Sequence, residues 1–149
     1  MSHVAGVNIT VSSSTKSAVE LIEVLLNNGW SVNDHGHISH LPFGDEDAFN
    51  WQHTVLESWP KIVETLKQKE KSHELIGLVM TWKEAGIGGE FLFFPDGQKL
   101  AISWSINRKM LQHCVDFTDH SWYLSRILPP LLKECLVIES IQCYDAVLS

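Results

Sequence analysis

Cysteine, positive charge and long apolar runs are all scarce in this chain, and each scarcity excludes something. Three cysteines (Cys114, Cys135, Cys143) form no C-x-x-C pair, so neither a zinc knuckle nor a thioredoxin-type redox pair is encoded. An odd number also leaves no complete disulfide framework. The three are expected to be reduced and to act as small packing residues. Eleven Lys and Arg face 18 Asp and Glu, for a net charge of −7. That balance excludes duplex DNA and anionic membranes as main partners, because both demand a concentrated positive face. The longest apolar runs, Leu75 to Met80 and Phe91 to Phe94, fall far short of the ~20 residues of a membrane span. The opening Met1-Ser2-His3-Val4 has no basic segment leading into an apolar one, so a cytoplasmic location is expected.

What remains is ordinary globular composition, 44% hydrophobic and 19% charged over 149 residues, which suits a single domain spanning 1–149. Val4, Val7, Ile9 and Val11 predict a first strand. Ser12 to Thr15 then offers an N-cap to a helix reaching Asn28, with Ala18, Leu21, Ile22, Leu25 and Leu26 on one face and Gly29 as its stop. Two short strands, Trp30 to Asn33 and His37 to Leu41, flank Gly36. A loop from Pro42 to Asp47 carries three acids in a row. Pro60 is tolerated only in a first helical turn, so the next helix is set to begin near Ser58. Its core face is Ile62, Val63 and Leu66, and its outer face Lys61, Lys67, Lys69 and Lys71.

Leu75 to Lys83, Gly89 to Phe94 and Lys99 to Ile106 read as an antiparallel meander, turning at Gly86 to Gly89 and at Pro95-Asp96-Gly97. In its last strand Leu100, Ile102, Trp104 and Ile106 alternate with Ala101, Ser103 and Ser105, so one side is buried and the other small and polar. Asp119 caps a last helix that Pro129-Pro130 kinks or ends, and Val137 to Tyr144 closes the chain as a strand. The predicted order is β-α-β-β-α-β-β-β-α-β. This is an α+β fold with about three helices on one face of a mainly antiparallel sheet.

No catalytic motif stands out, and the chain is read as a binding protein rather than an enzyme, with no cofactor. Asp34-His35-Gly36-His37-Ile38-Ser39-His40 is similar to the H-x-H-x-D-H signature of the metallo-β-lactamase family over six residues, but Ser39 stands where that family has Asp. A small metal-dependent hydrolase using His35, His37 and His40 is therefore an alternative to test, with Asp34 and His53 as further candidate ligands. Ser12 to Ser17 sits where phosphate loops sit but lacks their glycines. Gly86-Ile87-Gly88-Gly89 precedes a strand, not a helix, so it is a turn and not a dinucleotide loop. His113 and Cys114 are neighbours and so project apart, which leaves no Cys/His pair. The Lys-rich helix face is read as solvated, not as a nucleic-acid surface. Six tryptophans are many for this length. Trp82, Trp104 and Trp122 are assigned to the core, and Trp51 and Trp59 flank an irregular stretch beside the acidic loop.

Charge is uneven. Residues 1–60 hold one Lys against seven acids, residues 61–73 four Lys against two Glu, and the remainder six bases against nine acids. A small acidic chain with Asp45-Glu46-Asp47, the neighbouring aromatics Phe49 and Trp51, and the meander Leu75 to Ile106 resembles the bacterial immunity proteins of polymorphic toxin and contact-dependent inhibition systems. The resemblance implies one cognate toxin domain as partner, often a cationic nuclease, whose active site or substrate surface is masked. It places the contact on Asp45, Glu46, Asp47, Phe49, Trp51 and Glu57. A second resemblance in size, acidity and α/β content is to type III secretion chaperones, which act as dimers on an unfolded effector segment. Those open with a helix, whereas Val4 to Val11 here reads as a strand.

Overall fold

The computed structural model describes residues 2–134 and 136–148. It is α+β, with three α-helices among the described residues: α1 (Ala18–Leu26), α2 (Trp59–Lys71) and α3 (His120–Lys133). Ten strands accompany them: β1 (Ser2–Ser13), β2 (Trp30–Ser31), β3 (His37–His40), β4 (Gln52–Val55), β5 (Ile76–Trp82), β6 (Ile87–Phe93), β7 (Lys99–Ile106), β8 (Met110–Leu111), β9 (Cys114–Thr118) and β10 (Val137–Leu148). Eight strands form one sheet in the order β10-β1-β7-β6-β5-β3-β4, with β2 also against β5; β8 and β9 make a separate hairpin. Every pairing described is antiparallel.

The sheet has one apolar face because its strands alternate. Val7, Ile102, Phe91 and Leu78 occupy one cross-strand row, and all are buried in a single core with Ile22 and Leu25 of α1, Ile62 and Leu66 of α2, and Tyr123, Ile127 and Leu131 of α3. The opposite face carries Asn8, Ala101, Ser103 and Glu90, and no helix of that core. Gly89 lies at a register shift between β6 and β7. A Cβ there would meet the Ser103 carbonyl oxygen at 1.6 Å, so only glycine lets the two backbones close. The sequence reading placed Gly88 and Gly89 in a turn; they belong to β6, and Gly86 alone of the three stays in the turn, at φ +64°.

Helix ends differ from the sequence reading in two places. The cap of α1 is Ser17, not the earlier serines. Its hydroxyl accepts from Glu20 N, and the Glu20 carboxylate accepts from Ser17 N, a reciprocal capping box. Helix α3 does not end at Pro129-Pro130 but runs to Lys133. Those prolines lack N–H groups and free the carbonyls of Ser125 and Arg126. The Arg126 carbonyl accepts from Trp30 Nε1 at 3.2 Å, so the interruption is satisfied from across the core. Pro60, as expected, sits in the first turn of α2, after a 3₁₀ turn at Leu56–Ser58. Asp119 caps α3 through Trp122 N at 3.2 Å.

Trp30 belongs to a chain of rings. It meets Trp82 and Phe91 edge-on at 5.5 and 5.3 Å; Trp82 meets Trp122, Trp122 meets Tyr123, and Tyr123 stacks on Trp104 at 3.8 Å. The core assignment of Trp104 holds, and Trp82, Trp122 and Trp59 pack against the core from partly buried positions. The cysteine expectation needs correction. Cys114 and Cys143 are exposed, because the β8–β9 hairpin and β10 lie at the margin of the core; Cys135 lies outside the described residues.

Replacing Trp30 by Phe keeps a ring in the chain but leaves the Arg126 carbonyl without its donor. We expect a loss of about 1–3 kcal/mol in unfolding free energy, the cost of an unsatisfied buried acceptor, read from the urea midpoint at an unchanged m-value.

Candidate functional site

Ile62, Leu66 and Lys69 recur at helical spacing on α2, and all three are buried. Lys69 is therefore not on the outer face, where its residue type suggested it would be; it is fully buried. Its ammonium donates to the carbonyls of Leu41 at 3.3 Å and Pro42 at 2.8 Å. Burial pushes its pKa below the ordinary lysine value, opposed by the carboxylates of Glu74, Asp45 and Asp47. The acidic loop thus begins on a buried cation.

The loop is then fastened residue by residue. The Asp45 carboxylate accepts from Phe49 N at 2.9 Å and Asn50 N at 3.0 Å. Its carbonyl accepts from Ala48 N at 3.0 Å, and Glu74 accepts from Gly44 N at 2.8 Å. Glu46, Asp47 and Phe49 all have positive φ, at 52°, 58° and 54°. Non-glycine residues hold that conformation only when their surroundings impose it. The result exposes Phe43 (51%) and Phe49 (47%) on either side of Asp45-Glu46-Asp47. Beside them lies a cleft of about 380 Å³, walled by Glu74, Leu75, Phe94 and Pro95.

The residues named from sequence do not all share this surface. Asp45, Glu46, Asp47 and Phe49 do. Trp51 turns back and lies half-buried near Gly77, where its Cη2 would stand 3.0 Å from an added Cβ. Glu57 is exposed in the 3₁₀ turn after β4, so the length of β4, roughly 13 Å at ~3.4 Å per residue, separates it from the loop. Nor do the other early acids join. Glu20 caps α1 and pairs with Lys16, and Asp34 serves the β2–β3 hairpin. The negative excess of residues 1–60 is spread over four regions, and the one cluster it forms is completed by Glu74.

The histidine-rich stretch is divided by strand alternation. Ser39 and His53 are cross-strand partners on the helix-free face, while His40 points to the helix side beside Leu78. Ser39 donates to Asp34 at 2.6 Å and, having one hydrogen, accepts from His53 Nδ1 at 2.8 Å; His35 meets the other Asp34 oxygen. Burial works against the Asp34 charge, but Ser39 and His35 outweigh it and hold the pKa below 3.8. Ser39 is only 2% exposed, too enclosed to act as a nucleophile. His40 meets Thr54 Oγ1 at 3.0 Å. Among the described residues no three His, Cys, Asp or Glu side chains are placed to hold a metal ion. The slot where a phosphate loop would bind, the N-terminus of α1, is filled by the Glu70 carboxylate, which accepts from Ala18 N at 2.9 Å.

Sequence reading missed one cluster altogether. Pairing of β1 with β10 brings His3 to Asp145, and the Asp145 carboxylate also accepts from Thr118 N at 2.6 Å and faces His120 Nε2 at 3.7 Å. Trp104 donates to His120 Nδ1 at 3.3 Å. No local signal could reveal a group assembled from positions 3, 118, 120 and 145. It joins the β8–β9 hairpin to the end of the sheet. No helix among the described residues is long and apolar enough to cross a membrane. No family model, curated protein or solved structure matches the chain.

Burial holds both His40 and His120 below the usual 6.5. The unfolded chain therefore takes up protons first as pH falls, and the stability present above about pH 6.5 is lost as pH drops through the folded values. The urea midpoint should fall between about pH 7.5 and 5.5, and His40→Gln should make that fall shallower. An equal slope in both proteins would contradict this assignment.

Proposed function

We propose that this chain is a protein-binding module of the immunity type, which presses its 43–49 loop onto a cationic toxin domain and masks the surface that domain works with. The observation that carries the reading is the loop itself: two half-exposed phenylalanines flank Asp45-Glu46-Asp47 on a backbone fixed by Asp45 and Lys69. Fixed loops lose little entropy on docking. Aromatic anchors supply most of the holding energy at such interfaces, and a carboxylate rim supplies encounter rate and selectivity. The adjoining cleft, with Phe94 and Pro95 in its wall, would accept a side chain of the partner.

Co-expression with the product of the neighbouring gene tests the reading. Growth of the host should be restored and a complex recovered. Asp45 must be left in place, since its carboxylate builds the loop. Glu46→Gln with Asp47→Asn should slow association and flatten its salt dependence, whereas Phe49→Ala should raise the off-rate on the order of 10-fold or more. Full protection by both variants would place the contact elsewhere; absence of any complex would overturn the reading.

A further inference from the structure

The sheet ends in an unprotected strand. β10 is bonded along one edge to β1 and leaves its other row of N–H and C=O groups unpaired by the sheet. Natural edge strands are blunted by lysine, proline, short length or inward charge. β10 is 12 residues long and contains no Lys, Arg or Pro. From Ser140 to Leu148 its single carboxylate, Asp145, is taken up by His3 and Thr118. Five of its exposed side chains are large and apolar, Val137, Ile141, Tyr144, Val147 and Leu148, beside the exposed polar Glu139, Ser140 and Gln142. Of the thirteen large apolar side chains exposed among the described residues, nine lie on β10, on the β8–β9 hairpin beside it or at Val4 of β1. One edge of the molecule thus holds most of its uncovered apolar surface.

The spacing along β10 says what fits there. A two-fold axis normal to the sheet pairs the strand with its own copy, antiparallel, about a central residue. The bulge opposite Thr10 and Val11 skips Glu139, so regular pairing geometry begins at Ser140. The regular segment Ser140–Leu148 is centred on Tyr144. In that register Ile141 faces Val147 of the second copy, and Val147 faces its Ile141. The two Tyr144 residues meet at the axis, each ring lying back over Gly6 of its own β1, Gln142 faces Ala146, Cys143 faces Asp145, and no carboxylate faces a carboxylate. A register centred on Gln142 instead sets Glu139 against Asp145 twice, and one centred on Cys143 sets Ile141 against Asp145. Opposed like charges destabilise a ladder, and apolar and aromatic pairs stabilise it.

We propose that two copies of this chain join through β10, in the register centred on Tyr144, into one continuous sheet. The pairing closes on itself and leaves no free apolar edge at the joint. The 43–49 loop follows β3 at the other end of the sheet, so both copies keep it available, and the proposal stands whether or not that loop binds a toxin.

Light scattering on the size-exclusion eluate tests it. The expected mass is that of two chains. Ile141→Lys acts twice across the two-fold and should raise the dissociation constant on the order of 100-fold, giving single chains with an unchanged circular dichroism spectrum. In a background with Cys114, Cys135 and Cys143 replaced by Ser, diamide oxidation should cross-link Tyr144→Cys into a covalent pair and leave Gln142→Cys uncoupled, since facing positions at the axis lie within disulfide reach. Single chains at every concentration would overturn the proposal, including single chains that gain a second subunit only from a different protein. So would a dimer indifferent to Ile141→Lys, or cross-linking at Gln142→Cys in preference to Tyr144→Cys.

Discussion

A buried ammonium organises the face on which the functional reading rests. Lys69 sits in the apolar stripe of α2, with its charge against the carbonyls of Leu41 and Pro42. An unpaired charge there would cost several kcal/mol. The neighbouring carboxylates of Glu74, Asp45 and Asp47 oppose that cost, so the acids of the loop serve the fold before they serve any partner. The same contacts explain the local backbone. Three non-glycine residues with positive φ persist because Asp45 and Glu74 satisfy the amides that the turns turn inward. Phe43 and Phe49 are exposed because the backbone beneath them is committed elsewhere.

A second theme is the division of the sheet into unlike faces and unlike ends. The helix side is filled by aliphatic side chains and by a chain of rings from Phe91 to Trp104. The other side keeps small and polar residues, with the Asp34–Ser39–His53 relay fastening β3 to its neighbours. At one end lies the acidic loop beside β3 and β4. At the other lies β10, apolar and unpaired along its outer edge. These ends differ in the kind of contact they invite: one is charged and aromatic, the other a backbone ladder with apolar flanks.

Much of this was legible in the sequence where periodicity is strong. The alternation from Lys99 to Ile106 located β7 and its buried side as far as Trp104, although Ile106 is only half-buried, and Pro60 marked the start of α2. The stripe Ile62, Leu66, Lys69 was legible too, but residue type overrode spacing and sent Lys69 outward. The box Ser17 to Glu20 was likewise present and passed over for the serines before it. Other features had no local signal. β4 and β8 are too short to show a period, and α3 outlasts its prolines only because Trp30, far away in sequence, serves the Arg126 carbonyl. The acid count of residues 1–60 overstated a surface, since folding disperses Glu20, Glu23, Asp34 and Glu57 and gathers three acids with Glu74.

Amide exchange across the 43–51 loop in Lys69→Met tests the central claim most directly. If the buried ammonium holds the loop, protection at Ala48, Phe49 and Asn50 falls at least about tenfold, a loss of roughly 1.4 kcal/mol of local stability, while β5 and β6 keep theirs. Loop amides that exchange as slowly in the variant as in the parent would show that the loop stands without Lys69.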